Sequence, residues 1–355
     1  MSMQLSFFPE LTKPIAKFPS TRYQGSKLKF VDWIWKTIKD LPFQTALDAF
    51  GGTGSVAYRL KKEGKKVTYN DVQPFNYYIG AALVENDEKK ISDKDIEEIL
   101  SAHSGFIYPN LIASTFKDIY YTDEENAWLD VVSKNIRNME DPYKQAMAYF
   151  ALFQSCIIKR PYNLFHRKNL SVRLKDVERS FGNKKTWDTP FEVHFRKFIK
   201  EANDAVFSNG EKCISTNFDI FDVENTYDLV YIDTPYLNDK GVGIDYSDFY
   251  HFLNGLVDYD NWESRIDYNS KNFRLQPTFS VWNDAECIDG AFIRLFKQFK
   301  DSIIVVSYRS NGIPTIERLT ELLESIGKTV SVHYSEDIKY VLSNKCSKEV
   351  LIVAK

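Results

Sequence analysis

The spacing of apolar residues over the first ninety positions predicts strands and helices in alternation. Apolar side chains recur at helical intervals over residues 29–41, and short apolar runs at 45–50 and 66–70 are typical of buried strands. A helix is predicted after each of these strands, over residues 55–63 and 74–85. A strand–helix–strand–helix order of this kind predicts a parallel, doubly wound sheet.

The middle of the chain has a different pattern, because helical periodicity predominates there over residues 91–101, 123–138 and 142–158. Alternation resumes near Cys213, where the predicted elements are a helix at 315–325 and strands at 227–233, 302–308, 328–334, 339–342 and 350–354. We therefore expect an α/β domain formed by residues 15–90 and 213–355. A mostly helical insertion at residues 91–212 would interrupt it.

Composition is that of an ordered globular protein. Of 355 residues, 43% are hydrophobic and 15% aromatic, and no apolar run approaches the roughly 18 residues that a membrane span needs. The start of the chain lacks the basic patch and apolar run of a signal peptide. The four cysteines and five histidines are spaced for neither a disulfide framework nor a metal site. We expect a cytoplasmic protein that binds no membrane and no metal.

Basic residues are concentrated in one segment of the chain. The whole chain has 46 Lys and Arg against 49 Asp and Glu, whereas residues 159–200 contain 12 basic and 4 acidic side chains. Affinity for phosphates is largely a local electrostatic effect, so this segment indicates a surface that binds a polyanion. A solvated helical surface without a ligand is the alternative interpretation.

A glycine cluster follows the first predicted strand. Gly51, Gly52 and Gly54 stand between that strand and a helix, where the backbone can approach a ligand and the helix N-terminus offers free N–H groups. Their spacing fits neither the dinucleotide nor the P-loop pattern. Asp71 ends the next strand, where an acidic side chain commonly accepts hydrogen bonds from ribose hydroxyls. These features indicate a nucleoside cofactor; a glycine-rich turn with a helix-capping aspartate is the alternative.

A second polar cluster, Asp233-Thr234-Pro235-Tyr236, follows the predicted strand at 227–233. Functional crevices of α/β sheets lie at that end of the strands. The cluster suits an aromatic amine, because a carboxylate and a backbone carbonyl can accept hydrogen bonds from both N–H groups and turn the nitrogen toward a reactive, pyramidal geometry. Tyr236 would stack on the base and hold it in line with an electrophile. A base of duplex DNA must first leave the stack.

Ordered motifs resemble those of the Dam-like (alpha-class) SAM-dependent N6-adenine DNA methyltransferases. The segment RYQGSK at 22–27 resembles the N-terminal cofactor motif of that family, and DAFGGTGS at 48–55 resembles its glycine loop. IIKRPYNLFHRKN at 157–169 is similar to the segment beside its recognition domain. DTPY at 233–236 resembles its catalytic tetrapeptide, and VSY at 306–308 resembles a later strand.

The resemblance implies a Rossmann-like methyltransferase sheet with an inserted, mostly helical target-recognition module. Asp233 and the Thr234 carbonyl would hold the adenine amine, beside Pro235 and with Tyr236 stacked on the base. SAM would be bound by Tyr23, Lys27, Asp48, Phe50, Gly52, Gly54, Asp71 and Asp219, with Asp71 on the ribose hydroxyls and Phe218 as a rival for the role of Asp219. Double-stranded DNA would be contacted by Arg160, Asn163, Arg167 and Lys168. A restriction–modification or DNA-marking role, with a cognate endonuclease as partner, follows from the same resemblance.

The chain departs from the family pattern at three positions. Thr234 replaces the first proline of the tetrapeptide, Tyr23 replaces a tryptophan, and Leu164 follows Asn163 without the intervening glycine of the family. A threonine still supplies the backbone carbonyl but lacks the fixed φ of proline. Thr234 therefore leaves open a catalytically impaired relative that binds DNA or SAM as a partner subunit. Methylation of a cytosine amine or of RNA also stays open, because the chemistry of the tetrapeptide serves any exocyclic amine.

Overall fold

Seven strands form one mixed sheet at the centre of the protein. The computed structural model describes residues 16–177, 184–238, 241–243, 245–335 and 348–355. The strand order is β3-β2-β1-β4-β5-β7-β6, and β7 is antiparallel to both neighbours while the other pairs are parallel. The strands are β1 (Thr45–Asp48), β2 (Lys66–Asn70), β3 (Ile214–Thr216), β4 (Leu229–Ile232), β5 (Ile303–Arg309), β6 (Val330–Tyr334) and β7 (Glu349–Ala354).

The central strands are mostly apolar and almost entirely buried because both faces of the sheet are covered. All four residues of β4 are buried, as are all six of β7. Near-continuous apolar runs of this kind are typical of strands with helices on both faces. The predicted α/β class is confirmed, and the predicted strands correspond to observed ones except that at 339–342, which lies outside the described residues.

Three helices and a π-helical turn cover the first half of the sheet. They are α1 (Val31–Ile38), α2 (Ser55–Lys62), α3 (Pro74–Gly80) and the turn Ala81–Glu85. Helix α2 begins at the glycine cluster, with Gly54 at its N-cap position in the left-handed region at φ 72°. The glycine is required there because L side chains rarely adopt that backbone conformation.

The described part of residues 91–212 contains helices and no strand. These helices are α4 (Asp93–Leu100), α5 (Leu111–Thr115), α6 (Asp123–Arg137), α7 (Pro142–Ile158), α8 (Leu170–Leu174), α9 (Lys184–Asp188) and α10 (Phe191–Ala205). Helix α7 is buried along almost its whole length and lies between α10 and α3. One apolar cluster joins this helical region to Tyr58, Phe75 and Ile79, so the helices share their core with the covering layer of the sheet.

The remaining helices follow the central strand β4. They are α11 (Tyr246–Phe249), α12 (His251–Val257), α13 (Tyr259–Trp262), α14 (Ile288–Gln298) and α15 (Ile316–Ser325). Helix α12 packs on α3, whereas α14 and α15 cover the half of the sheet that contains β5. No helix within the described residues combines the length and apolar character that a membrane span needs.

The strand order reverses direction between β1 and β4. From β1 the chain builds the sheet outward through β2 and β3, and from β4 it builds the other way through β5. Ligands of open α/β sheets bind in the crevice at such a switch point, beyond the carboxyl ends of the strands. Asp48 lies opposite Tyr231 in the register, so the loops after β1 and β4 leave the sheet side by side.

Candidate active site

A cavity of about 730 Å³, partly open to solvent, lies at the switch point. Among the predicted residues, those that line it are Tyr23, Lys27, Asp48, Phe50, Gly52 and Asp71 from the cofactor set and Asp233, Thr234, Pro235 and Tyr236 from the catalytic set. The structure thus brings the four catalytic residues together with six of the eight predicted cofactor residues.

The glycine loop rests on the ring of Tyr69, a residue of β2 that the sequence motifs do not mark. A Cβ added at Gly51 would lie 2.0 Å from a ring carbon of Tyr69, so only glycine fits there. The Tyr69 hydroxyl donates a hydrogen bond to the Gly52 carbonyl oxygen at 2.7 Å. Gly54 caps helix α2 and does not line the cavity. The glycine loop is therefore supported by the buried side chain of Tyr69.

Asp71 is tied to the glycine loop by its carboxylate. Its Oδ2 accepts a hydrogen bond from the Gly52 N–H at 2.9 Å, and its Oδ1 accepts one from the Gln73 N–H at 2.8 Å. Burial raises the pKa of Asp71, although these two N–H groups oppose the rise. The carboxylate is fixed in the cavity wall at the end of β2, where a ribose-binding acid is expected.

Asp48 is a second buried carboxyl group, 1% exposed, at the end of β1. Its Oδ2 accepts a hydrogen bond from the Ala57 N–H at 3.1 Å. Burial raises its pKa to about 8, and the negative charge of Asp233 adds to the rise. A buried acid with a raised pKa favours a nearby positive charge, because such a charge offsets the cost of desolvation.

Lys27 connects the N-terminal segment to the catalytic cluster. It belongs to the short turn Lys27–Lys29 before α1 and is 7% exposed. Its Nζ lies 3.1 Å from Asp233 Oδ1 and 2.6 Å from Glu349 Oε1. Burial opposes the charge of Lys27, but Asp233 and Glu349 raise its pKa well above the ordinary value. Glu349, at the start of β7, was not identified from the sequence.

Asp233 follows β4 directly and points a half-buried carboxylate into the cavity. Burial raises its pKa to about 7, with Lys27 opposing the rise and Glu349 adding to it. The adjacent Thr234 is 2% exposed, and its hydroxyl has no hydrogen-bond partner among the described residues. Tyr236 packs edge-on against Tyr308, with ring centroids 6.1 Å apart.

Stacked aromatic rings form one wall of the cavity. The ring of Tyr23 lies parallel to that of Tyr250, with centroids 4.5 Å apart, and to that of Tyr246 at 5.6 Å. The Tyr250 hydroxyl accepts a hydrogen bond from the Gln24 N–H at 2.9 Å, which fixes the N-terminal segment to α12. Tyr246 lines the cavity although no motif marks it. The only sequence signal for Tyr246 is its position in an aromatic-rich stretch.

Asp219 does not line the cavity. Its side chain is exposed and accepts a hydrogen bond from the Phe221 N–H at 3.0 Å, which caps the turn Ile220–Asp222. The rival Phe218 is 55% exposed, and its backbone is fixed by Asn70, whose Oδ1 accepts from the Phe218 N–H at 3.1 Å. The structure therefore gives Asp219 a capping role and does not place it with the other predicted cofactor residues.

Arg160 is buried, contrary to the prediction that it contacts DNA. It is 1% exposed, its guanidinium lies 4.2 Å from the ring centroid of Tyr120, and it donates hydrogen bonds to the carbonyl oxygens of Tyr120, Leu164 and Arg167. It also bonds the side chain of Asn169. A guanidinium held in this way cannot reach a phosphate, so Arg160 instead organises the loop that follows it.

The loop organised by Arg160 presents the other predicted DNA residues. Arg167 and Lys168 are exposed, and Asn163 is half-buried with φ at 60°. Asparagine is among the residues that tolerate the left-handed region, so Asn163 adopts this backbone conformation at little cost. The Phe165 N–H donates to the Phe249 carbonyl oxygen at 2.9 Å. This bond places the loop beside α11, the helix that contributes Tyr246 to the cavity.

In its described residues, 159–177 and 184–200, the predicted basic segment does not form one continuous positive surface. Lys159 and Arg173 are buried and pair with Glu125, which comes from α6. Further along, Arg196 pairs with Glu97 of α4 at 2.8 Å. Acidic residues from outside residues 159–200 therefore neutralise part of its charge, which a count along the sequence cannot register.

The donor set of the cavity fits SAM. Asp71 offers a carboxylate to ribose hydroxyls, and the glycine loop leaves open the space that side chains would fill. Asp48 and Asp233 are carboxyl groups suited to the positive sulfonium, while Lys27 is the one cationic side chain among the described residues of the lining. Within the described residues, no group of three or more His, Cys, Asp or Glu side chains is placed to bind a metal ion.

Comparison with known proteins agrees with this geometry. The family model described as D12 class N6 adenine-specific DNA methyltransferase matches residues 23–311. Type II methyltransferase M2.HphI of Haemophilus parahaemolyticus is 30% identical over 94% of this chain and 95% of its own. Modification methylase LlaI of Lactococcus lactis subsp. lactis is 25% identical over 92% of this chain and 52% of its own. Type II methyltransferase M.NlaIII of Neisseria lactamica is 22% identical over 86% of this chain and 88% of its own.

The family match confirms the resemblance inferred from the motifs, since it includes the glycine loop, the loop after Arg160 and the cluster at Asp233. It covers well over half of the chain, and the first of the three relatives aligns along nearly its full length. This protein therefore belongs to the D12 class of N6 adenine-specific DNA methyltransferases.

Proposed function

We propose that this protein transfers the methyl group of SAM to the N6 amine of adenine in double-stranded DNA. The observation that carries the proposal is the shared cavity, which is lined both by Asp233, Thr234 and Tyr236 and by the glycine loop. The names of the relatives support a role as a modification enzyme, and we propose that it works in a restriction–modification system with a cognate endonuclease as partner.

The catalytic cluster acts on the amine. The Asp233 carboxylate and the Thr234 carbonyl accept hydrogen bonds from its two N–H groups, which withdraws the nitrogen lone pair from conjugation with the ring. Tyr236 stacks on the base and fixes its direction, so the rate gain comes from positioning. Lys27, 3.1 Å from Asp233, favours the ionised form of the carboxylate that this bonding requires. Threonine serves here because a backbone carbonyl is the group used.

The cofactor would be held by Asp71 at the ribose, by the backbone of the glycine loop around Gly52, and by the walls that Tyr23 and Phe50 form. When bound, SAM supplies an activated methyl group and a neutral thioether as leaving group. Asp48 and Asp233 offer negative charge to the sulfonium. Lys27 would act on Asp233 rather than on the cofactor.

DNA would bind across the loop after Arg160. Arg167 and Lys168 are exposed and suited to phosphates, and Asn163 holds the turn between them and α7. We assign target recognition to the helical insertion at residues 91–212 and catalysis to residues 15–90 and 213–355. The adenine would leave the duplex to enter the cavity, as chemistry on a base requires.

The test measures transfer of labelled methyl from SAM to unmethylated genomic DNA, followed by identification of the methylated nucleoside. Wild type and Asp40→Ala, a change at an exposed acid beyond the end of α1, should give N6-methyladenine. Asp233→Ala should give no product yet retain SAM binding in calorimetry.

If the product is methylated cytosine, the acceptor is the cytosine amine and not the adenine amine. Absence of transfer by wild type that binds both SAM and DNA would reject the enzyme and favour a partner subunit. Loss of SAM binding in Asp233→Ala would make that carboxylate structural.

A further inference from the structure

We propose that Glu349 is a positioning residue of the active site, which anchors the Lys27 ammonium beside Asp233 and leaves the cluster of three groups with a net negative charge. The proposal rests on the methyl transfer proposed above, because it gives Glu349 a part in that reaction. Neither the sequence motifs nor the matched range 23–311 includes this residue.

The side chain of Glu349 is buried in the protein interior. It is 1% exposed, and its Oε1 accepts hydrogen bonds from Lys27 Nζ and from Ser307 Oγ, each at 2.6 Å. Its backbone N–H donates to Ser335 Oγ at 3.1 Å. Ser307 is fully buried in β5, the strand paired with β7. The carboxylate is thus held by bonds from two separate segments, which is the arrangement expected of a group whose position matters.

Lys27 is shared unequally between the two carboxylates. Its Nζ is 2.6 Å from Glu349 and 3.1 Å from Asp233, so Glu349 is the nearer partner. An ionised carboxylate has about four lone-pair sites, so Asp233 keeps capacity to accept an amine N–H. Without Glu349, the ammonium would be free to bind Asp233 more closely and compete with the substrate for those sites. Anchoring the lysine on Glu349 therefore leaves Asp233 available.

The charge of the cluster matters for the transfer itself. The amine lone pair forms the new N–C bond, the electrons of the S–C bond return to sulfur, and the proton that the acceptor nitrogen then carries leaves to water. Positive charge therefore develops on the nitrogen next to Asp233. Two carboxylates and one ammonium sum to one negative charge, which stabilises that nitrogen in a buried site.

The same cluster sets the pH at which Asp233 ionises. Two charged groups act on it, Lys27 from the N-terminal segment and Glu349 from β7. Its own charge in turn raises the pKa values of Asp48 at the end of β1, Tyr231 in β4 and Tyr246 in α11. Burial raises the pKa of Asp233 to about 7, Lys27 lowers it and Glu349 raises it. Removing the charge of Glu349 should therefore lower that pKa and extend activity to lower pH.

The experiment compares single-turnover methyl transfer by wild type, Glu349→Gln and a control over a range of pH. Glu349→Gln keeps the shape of the side chain and loses only its charge. The control is Glu321→Gln, which removes an exposed carboxylate of α15 that pairs with Arg318 and does not line the cavity. Calorimetry of SAM binding accompanies each variant.

For Glu349→Gln we expect the plateau rate to fall about tenfold, equivalent to roughly 1.4 kcal/mol of barrier, and the acid limb of the profile to move to lower pH. SAM binding of both variants and the pH profile of Glu321→Gln should stay close to wild type. An unchanged rate and an unmoved limb would overturn the proposal and leave Glu349 a structural residue.

A second variant keeps the proposal testable if Glu349→Gln fails to fold. Glu349→Asp keeps the charge but shortens the side chain, so it should lose rate while its acid limb stays in place; full wild-type activity would overturn the proposal. Inactive wild type in the same assay would instead refute the proposed function.

Discussion

Replacing Gly51 by alanine should destabilise the protein through a single steric contact. The added Cβ would lie 2.0, 2.4 and 2.5 Å from three ring atoms of Tyr69, distances at which something must move. The backbone at Gly51 is not in the left-handed region, so conformational strain does not contribute. The ring is buried and cannot swing into solvent.

The size of the effect follows from two contributions. Overpacking a close-packed interior costs roughly 1–3 kcal/mol. Displacement of the ring would also break the 2.7 Å hydrogen bond from Tyr69 to the Gly52 carbonyl oxygen, a loss of about 1 kcal/mol. We therefore expect the free energy of unfolding to fall by about 2–4 kcal/mol. SAM affinity should fall as well, because the loop that forms the cavity wall shifts.

Urea unfolding and calorimetric titration with SAM measure these two effects. Gly290→Ala is the matched control, because its Cβ would meet no atom within 4 Å and an exposed helical site should gain roughly 0.5–1 kcal/mol. In a Tyr69→Leu background the cost of Gly51→Ala should fall below about 1 kcal/mol, since the clashing ring is gone. Equal costs in both backgrounds would refute the steric argument.

Two further predictions concern charge. Asp48→Asn should raise the thermal midpoint of the ligand-free protein, and the gain should grow between pH 3.8 and about 8. Over that interval the wild-type carboxyl ionises more readily in the unfolded chain than in the fold, where burial raises its pKa, so the wild type loses folding stability as the pH rises. A gain independent of pH would contradict this. Charge reversal at Arg167 and Lys168 should weaken DNA binding and flatten its dependence on log salt by about 0.9 for each phosphate that is no longer neutralised. Reversal at Arg196 and Lys197, measured in the same titration, should leave the slope unchanged, and an unchanged slope for the first pair would show that it faces only solvent.

Most of the sheet and the centre of the cavity could be predicted from the sequence because each chemical motif directly follows a strand; the short edge strand β3 was not predicted. Periodicity identified the strands that end at Asp48 and before Asp233, and the carboxyl ends of adjacent parallel strands necessarily meet. Asp71 follows the same logic at the end of β2. The proximity of these carboxyl groups is therefore a consequence of strand order.

Other parts of the site depend on contacts that no local pattern records. Arg160 has the residue type of a phosphate ligand, yet its burial is decided by Tyr120 and by carbonyl oxygens of its own loop. The charge of the basic segment is reduced by Glu125, which lies well before it in sequence. Glu349 begins an apolar strand, and nothing in its neighbourhood identifies Lys27 as its partner. Such pairings follow only from the complete fold.

The contact between Lys27 and Glu349 joins residues that are 322 positions apart. During synthesis on a ribosome, the loops of the cofactor cavity emerge early, whereas the carboxylate that anchors the lysine emerges only after β1 to β6 have been made. A growing chain would thus carry cavity walls without a complete catalytic cluster. Two separately expressed fragments, divided anywhere between these residues, would have to reassemble before the cluster exists, so recovery of methylation would report their reassociation.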